Sequence, residues 1–206
     1  MISATAGLKP TKKRIIEAAL QTLSEEGFAG TSAREIGKRG GFNQALIYYH
    51  FGSLQDLLIA ALDAFSSERL VRYRAALASV ESLTELVQVM TRLYEEDAAA
   101  GKVAAVQEIV AGASSSAELG RQIVERMDPW TSFAQEVVER ILKGSLFDGL
   151  LPAKEVAYAL VALYFGVETL SHLDRDRTKA DALFDAGRHL APLADSLLRG
   201  GKEIRT

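Results

Sequence analysis

Apolar residues recur at helical spacing along most of the chain, and polar residues fill the positions between them. In the first segment Ile16, Ala19, Leu20 and Leu23 follow the i, i+3, i+4, i+7 pattern of one helix face. We find no segment with the alternating, β-branched pattern that is typical of a strand. The pattern therefore predicts an all-α fold.

Glycines divide the N-terminal part of the chain into short helices. The first predicted helix begins near Pro10 and ends at Gly27. The second, SAREIGKR, is expected to be capped by Thr31 or Ser32, and Glu35 stands at the position of the carboxylate in a capping box with Ser32. These signals predict two helices within the first 40 residues.

A tight turn and two further helices follow. Gly40 and Gly41 end the second helix because glycine readily adopts a left-handed backbone. Asn43 then caps a third helix at about residues 44–50, and Ser53 caps a long fourth helix. Two short helices joined by a turn within about 20 residues have the size of a DNA-reading helix-turn-helix.

Three consecutive residues of the third helix, Tyr48, Tyr49 and His50, carry rings with hydrogen-bonding groups. Consecutive helical residues cannot all face the core, so at least one points outward. In a helix that lies in the major groove, a Tyr hydroxyl or a His ring is a suitable donor to phosphate. Phe51, by contrast, is predicted to be a core residue.

Longer helices are predicted beyond residue 80, at about residues 82–100, 102–113, 117–127, 129–143, 153–171 and 179–199. Asp128 is the predicted N-cap of the fourth of these, with Pro129 at its first position. Residues 114–116 are predicted as a linker, and Gly200 and Gly201 as the end of the last helix.

The longest apolar run, VAYALVALYFGV, extends from Val156 to Val167. Twelve residues are too few to cross a bilayer, which needs about 20, so we expect no membrane. A helix that is apolar all round has to be buried on nearly all sides. With the apolar final helix it is expected to form a four-helix homodimer interface; burial within one subunit is the alternative.

Charge distinguishes the N-terminal part from the rest. Residues 1–51 carry seven Lys or Arg against four Glu, a net charge of +3, whereas the whole chain carries −3 and the remainder therefore −6. A basic head on an acidic body predicts that the head meets a polyanion, although chance alone also produces such differences.

Other chemistry is argued against by the sequence. It has no Cys and no apolar signal peptide in MISATAGLKP, so a cytoplasmic protein is expected. His172, Asp174 and Asp176 fall in a predicted charged loop, where solvated charge is a better interpretation than a metal site. Without a nucleophile elbow or a Gly-rich phosphate loop, neither catalysis nor a cofactor is expected.

The stretch from Lys13 to Leu62 resembles the DNA-binding domain of TetR-family (tetracycline-repressor-type) transcriptional regulators. The resemblance rests on Gly27-Phe28, Thr31-Ser32, Ile36, Gly41, Tyr48-Tyr49-His50-Phe51 and Leu57-Leu58. Their spacing matches over about 50 residues, whereas the remaining residues match only in length and helical character.

The resemblance implies a homodimer that binds a palindromic operator in double-stranded DNA and is released by a small-molecule effector. It implies a helix-turn-helix domain at residues 1–52 and a larger effector-binding and dimerisation domain at 53–206. The implied DNA contacts are Thr31 and Ser32 at the helix start, Gln44, Ala45 and Leu46 near bases, and Tyr48, Tyr49 and His50 near phosphates. For Leu46, packing on the neighbouring helix is an equal alternative.

The sequence departs from the family pattern in two places: Leu54 stands where a phosphate-binding Lys is usual, and Ala45-Leu46 stands where a pair of small residues is common. The N–H groups after Ser53, or cations between Lys9 and Arg14, are expected to offset the missing Lys. The missing Lys also motivates an alternative function, a helical small-molecule or lipid-binding protein with a vestigial DNA-binding head.

Effector contacts are sought among aromatic and polar residues on the later predicted helices, because pockets in helical bundles are apolar with few polar anchors. The candidates are Met90, Tyr94, Gln107, Trp130, Phe133, Tyr164, Phe165 and Glu168. Core packing is the alternative for each of them.

Overall fold

The computed structural model describes residues 8–113 and 116–199, so the predicted stops at Ser114, Gly200 and Gly201 lie outside the described residues. Within these ranges the fold consists of ten helices and contains no strand, which confirms the all-α prediction. They are α1 (Pro10–Gly30), α2 (Ala33–Gly40), α3 (Ala45–Phe51), α4 (Leu54–Ala76), α5 (Leu83–Ala100), α6 (Lys102–Ala113), α7 (Ala117–Glu125), α8 (Asp128–Leu142), α9 (Ala153–Asp174) and α10 (Thr178–Arg199).

The chain forms two compact units. Unit 1 contains the chain up to Arg72 together with Asp97–Met127, and unit 2 contains Tyr73–Glu96 together with the chain from Asp128 on. The helix-turn-helix therefore shares unit 1 with α6 and α7. The domain boundary predicted after residue 52 falls inside this unit and stays a prediction.

The apolar stripe of α1 builds the core of unit 1. Ile16, Ala19 and Leu23 are buried, as their spacing predicted. One cluster joins α1 to α2, α3 and α4 around Ile36 and Ile47. A second cluster joins α1 and α4 to α6 and α7.

The end of α1 differs from the prediction. Helical geometry is interrupted at Gly27, where φ is 71°, but one further turn continues to Gly30. The Phe28 N–H donates to the Glu108 carboxylate of α6 at 2.8 Å, and the Thr31 hydroxyl donates to the Gly27 carbonyl at 2.7 Å. A bond from α6 thus fixes the backbone just before α2.

Unit 2 is held at helix ends by side chains that bond to backbone groups. The buried Asp195 of α10 accepts hydrogen bonds from the N–H groups of Leu83 and Thr84, at 2.8 and 3.0 Å, and so caps α5. Arg140 of α8 donates to the carbonyl oxygens of Leu77 and Val80 after the end of α4.

The apolar run is part of a longer helix, and the single chain leaves most of that helix unburied. The run lies within α9, which has 22 residues and is long and apolar enough to cross a membrane, as is the bent pair of α3 and α4. Length and apolar composition of this kind are also found in buried helices of globular proteins. Only 11% of the most apolar window of α9 is buried in the single chain, so the helix is not enclosed within one subunit.

Smaller differences concern helix ends. Asp128 is the first residue of α8 rather than its cap, and α7 ends at Glu125. Because α9 continues to Asp174 and α10 begins at Thr178, the charged loop predicted around Asp174 and Asp176 is reduced to residues 175–177. His172 and Asp174 therefore belong to a helix and not to a loop.

Candidate nucleic-acid interface and effector site

The turn between α2 and α3 has the geometry that its glycines and Asn predicted. Gly41 adopts a left-handed backbone with φ of 65°. The Phe42 N–H donates to the Gly37 carbonyl at 2.9 Å, which closes the turn. The Asn43 side-chain oxygen accepts the Ala45 N–H at 2.9 Å, so Asn43 caps α3 as predicted.

Gly37 allows α2 to approach the start of α3 closely. A Cβ atom at this position would lie 2.8 Å from the Phe42 carbonyl oxygen and 3.2 Å from the Gln44 nitrogen. No side chain fits between these two pieces of backbone. The direction in which α3 leaves the turn therefore depends on the absence of a side chain at Gly37.

Arg14 binds the same turn from the side of α1. Its guanidinium donates to the Gly40 carbonyl at 3.1 and 2.8 Å and to the Gly41 carbonyl at 2.9 Å, and it lies 5.4 Å from the centroid of the Phe42 ring. Arg14 thus stabilises the turn instead of being free to reach DNA. Lys12 lies over the Phe51 ring at 5.3 Å, which positions its ammonium at the end of α3.

One face of α3 anchors the helix, and the opposite face is open. Ile47 is fully buried, whereas Tyr48 is 50% and Tyr49 82% exposed. His50 is half-buried, and its ring contacts the Tyr49 ring edge-on at 4.9 Å. Tyr48 and Tyr49 are thus both exposed, in line with the expectation that at least one residue of this run points outward.

The residues predicted to approach bases divide into two groups. Gln44 and Ala45 are exposed at the start of α3. Leu46 is half-buried and packs on the core of unit 1, as does Phe51. The packing alternative therefore applies to Leu46, and its contact with a base stays a prediction.

At the start of α2, the cap is Ser32, one of the two predicted candidates, since its hydroxyl accepts the Glu35 N–H at 3.2 Å. The Glu35 carboxylate lies 3.8 Å from the Lys38 ammonium. Thr31 uses its hydroxyl on Gly27 and its N–H on the Phe28 carbonyl, at 3.2 Å. A phosphate contact at this helix start is therefore better assigned to Ser32 than to Thr31.

At the start of α4, the Ser53 hydroxyl accepts the Asp56 N–H at 3.0 Å and donates to the Asp56 carboxylate at 2.6 Å. This confirms Ser53 as the cap but also places a negative charge at the helix start. Leu54 is half-buried and packs on both core clusters. The sequence-based expectation that free N–H groups here replace a missing Lys is not supported by this arrangement.

Several effector candidates meet in an aromatic cluster of unit 2. Tyr73 lies 5.4 Å from Trp130 and 6.3 Å from Tyr164, and Tyr94 lies 6.3 Å from Tyr164 and 5.0 Å from Phe184, measured between ring centroids. Tyr73 and Phe184 were not among the sequence-based candidates. Tyr73 lies four residues after Arg69 and eleven after Leu62, so it continues one helical face of α4.

The other candidates are distributed around this cluster or apart from it. Glu168 is buried, Met90 and Phe165 are half-buried, and Phe133 is buried beneath the guanidinium of Arg74 at 4.8 Å. Gln107 is buried in unit 1, in α6, and so does not belong to the set in unit 2. Its role as an effector contact stays a prediction.

The acidic residues around the end of α9 bond within the chain. Lys179 bonds to Asp174 at 2.5 Å, and Asp176 accepts the N–H and hydroxyl of Thr178 at 3.0 and 2.7 Å. The Thr178 backbone bond is the main reason that the pKa of Asp176 is lowered. No group of three or more His, Asp or Glu residues in the described ranges is arranged to hold a metal.

Residues 15–61 match the model of the family described as bacterial regulatory proteins, tetR family. These residues contain the whole helix-turn-helix. Residues 15–61 therefore form a TetR-type DNA-binding domain. The TetR-type pattern at Gly27, Gly41 and Tyr48 thus coincides with a kink, a left-handed turn and an exposed ring in the structure.

Similarity to individual TetR-type proteins extends over most of the chain. The transcriptional regulator UidR of Escherichia coli is 26% identical over 180 residues, which are 87% of this chain and 89% of that protein. The fatty acid degradation regulator FadR of Bacillus halodurans superimposes with a TM-score of 0.74 at 19% identity, over 89% of this chain and 95% of that one.

FadR of Bacillus subtilis, solved in complex with stearoyl-CoA, superimposes with a TM-score of 0.67 at 18% identity, over 87% of this chain and 96% of that one. At these identities the two FadR structures establish the fold. The match of residues 15–61 to the family model and the similarity to UidR indicate a transcriptional regulator with a helix-turn-helix at its N-terminal end.

Proposed function

We propose that the protein is a dimeric cytoplasmic repressor that binds a palindromic operator and leaves it when a small molecule binds unit 2. The observation that carries this proposal is the open face of α3. Tyr48 and Tyr49 of α3 and Gln44 directly before it are exposed, while the buried Ile47 and the close approach at Gly37 hold the helix in place. A rigid helix with donors on one face suits a major groove flanked by phosphates.

The proposed homodimer rests on an apolar surface of α9 and α10. Large apolar side chains on these helices are exposed in the single chain: Tyr158, Leu160, Leu163, Leu170, Leu173, Leu183, Leu190, Leu193 and Leu197. Exposed apolar side chains in such number on two helices are typical of an interaction site. Two copies related by a two-fold axis would cover them in a four-helix arrangement.

The proposal assigns this surface to a second copy and not to a membrane. Glu168 lies within α9 and is buried, and His172 lies one turn further on. Ionisable residues inside a bilayer are costly and rare. If a second copy covers the apolar surface, Glu168 and His172 stay on the inner side of α9, away from that surface.

The proposed effector role of unit 2 is supported by its aromatic cluster and by the FadR neighbour, which was solved with a ligand. In the proposed homodimer, the two helix-turn-helices must have a certain arrangement to fit the operator. A ligand that favours a different arrangement shifts the binding equilibrium towards free DNA. This mechanism requires binding of DNA and of a ligand but no chemical reaction, so the proposal is a binding protein and not an enzyme.

The experiment is selection of bound sequences from a random duplex pool, followed by transcription in vitro with the enriched sequence placed across a promoter. We expect an inverted repeat and a reduced yield of transcript. A single asymmetric element would contradict the dimer, and an increased yield would contradict repression. No enrichment by the protein at low salt would favour the alternative, a ligand-binding protein with a vestigial DNA-binding head.

A further inference from the structure

The aromatic cluster of unit 2 draws one ring from each of five helices. Tyr73, Tyr94, Trp130, Tyr164 and Phe184 come from α4, α5, α8, α9 and α10. Three of the four ring pairs meet close to perpendicular, at 79–88°, and Tyr94 and Phe184 meet at 42°. The cluster is accessible without unfolding, because Trp130, Tyr164 and Phe184 are only half-buried.

The Tyr hydroxyls of the cluster already have hydrogen-bond partners. Those of Tyr73 and Tyr164 lie 2.8 Å apart, and the Tyr94 hydroxyl donates to the Ser171 hydroxyl at 3.0 Å. These bonds fix the orientation of the rings. What the cluster offers a ligand is therefore mainly the π faces, which carry negative electrostatic potential.

A buried carboxyl group lies on the same side of α9 as these contacts. Tyr164, Glu168 and Ser171 stand at i, i+4 and i+7 and thus form a row on one helix face. Glu168 is only 6% exposed. A carboxylate and several ring faces together make this part of unit 2 attractive to positive charge.

One cation from the chain itself already lies on the cluster. The Arg177 guanidinium lies 4.9 Å from the centroid of the Tyr94 ring. Its Nε atom is buried and has no hydrogen-bond partner among the described residues, and its terminal nitrogen is 3.8 Å from Asp181. Arg177 belongs to the three-residue connection between α9 and α10, so it can leave the ring while both helices stay intact.

We propose that this cluster binds the effector and that the effector is an organic cation, such as a quaternary ammonium or a guanidinium compound. The cation displaces Arg177 from the face of Tyr94 and is stabilised by the charge of Glu168. This inference rests on the proposed effector role of unit 2 and names its ligand class. An acyl-CoA, whose phosphates are anionic, would be repelled by Glu168.

Trp130 provides a direct measurement of binding. It is the only Trp of the chain and contacts Tyr73, so its fluorescence reports on the cluster. The purified protein is titrated with phenyltrimethylammonium and with tert-butylbenzene, its uncharged carbon isostere. We expect saturable binding of the cation and at least about tenfold weaker binding of the isostere, because a desolvated cation gains from the ring faces and the isostere does not.

Two substitutions are expected to act in opposite directions. Glu168→Gln removes the charge at nearly constant shape and should weaken binding of the cation about tenfold while leaving the isostere unaffected. Arg177→Gln removes the internal competitor and should tighten binding of the cation. The matched control is Arg175→Gln, which removes the same charge from the same connection at an exposed position. If both Arg variants bind the cation more tightly by the same factor, the change in net charge explains the effect. That outcome would overturn the proposed displacement of Arg177.

Other outcomes overturn the inference directly. Equal affinity for the two probes, or binding of stearoyl-CoA at the cluster in preference to the cation, would exclude a cation site. If Glu168→Gln does not fold by circular dichroism, Tyr94→Leu replaces it and should weaken binding of the cation more than that of the isostere. Operator binding is measured separately, so an operator complex that no cation affects would refute this inference and leave the proposed regulator intact.

Discussion

Replacing Gly37 with Ala adds a single methyl group at the closest approach of α2 to the chain that enters α3. The added Cβ atom would lie 2.8 Å from the Phe42 carbonyl oxygen and 3.2 Å from the Gln44 nitrogen. Because both neighbours are backbone atoms, they cannot rotate aside as a side chain would. The turn itself has to move, and α3 moves with it.

Two opposing contributions set the size of the effect. Ala is favoured over Gly inside a helix by about 1 kcal/mol. Overpacking of a close contact costs about 1–3 kcal/mol, and rigid backbone neighbours place this site in the upper part of that range. We therefore expect a net loss of stability of about 1–2 kcal/mol, which lowers the melting temperature by roughly 2–4 °C per kcal/mol in a protein of this size.

Gly120 of α7 provides a matched control. A Cβ atom there would meet only the Ala113 carbonyl oxygen at 3.8 Å, an ordinary contact. Gly120→Ala should therefore raise stability by up to about 1 kcal/mol, since the helical preference of Ala is not opposed. The same chemical change is thus expected to have opposite signs at the two positions.

The assay is thermal unfolding followed by far-UV circular dichroism at one protein concentration, together with binding of a fluorescent duplex. Trp fluorescence is unsuitable because Trp130 lies in unit 2, whereas both glycines lie in unit 1. Gly37→Ala should lower both the melting temperature and the affinity for DNA. A melting temperature that rises equally in both variants would refute the argument that the contact at Gly37 holds α3 in place.

Three further substitutions test the DNA-binding and dimer surfaces. Leu163→Asp introduces a charge at a position that is 55% exposed in the single chain. Sedimentation should then show a folded protein of 22.3 kDa instead of a dimer of twice that mass. An unchanged dimer would show that the interface lies elsewhere. Gln44→Ala should relax base preference at one position per half-site by about 1–3 kcal/mol, and an unaltered preference would exclude direct readout. Tyr48→Phe should weaken binding to all duplexes alike by about tenfold, as the loss of one hydrogen bond to a charged phosphate does, whereas a change in selectivity alone would rule out that role.

Local signals in the sequence predicted the helix-turn-helix well. The stripe of α1, the cap at Asn43 and the left-handed turn at Gly41 depend on neighbouring residues, so spacing and residue type are sufficient to place them. The exposure of at least one residue among Tyr48, Tyr49 and His50 followed from the fact that three consecutive helical residues cannot share one face, and the structure shows that Tyr48 and Tyr49 are exposed.

Contacts between distant residues could not be predicted in the same way. Arg14 was interpreted as a cation available to DNA, but it bonds to carbonyl groups 26 and 27 residues further along the chain. The hydrogen bond that the Phe28 N–H donates to the Glu108 carboxylate spans 80 residues and joins α6 to the chain that enters the helix-turn-helix. Such bonds depend on tertiary packing, which leaves no periodic signal in the sequence.

The end of α9 was predicted at residue 171, three residues before its observed end at Asp174. Lys154, Glu155, Glu168 and His172 interrupt the apolar pattern without interrupting the helix, because they have adequate helix propensity.

The aromatic cluster was found only in part. Tyr94, Trp130 and Tyr164 were candidates by residue type, whereas the contact of Tyr73 with two of them required the packing of three helices.

The central claim, a two-fold DNA complex read by α3, is tested most directly by measuring the mass and affinity of the complex. Sedimentation is performed with a duplex that contains both half-sites of the enriched repeat and with one in which a single half-site is scrambled. We predict two chains of 22.3 kDa on the intact duplex, and an affinity at least about tenfold lower for the scrambled one at the same salt. One chain per duplex, or equal affinity for the two duplexes, would contradict the account.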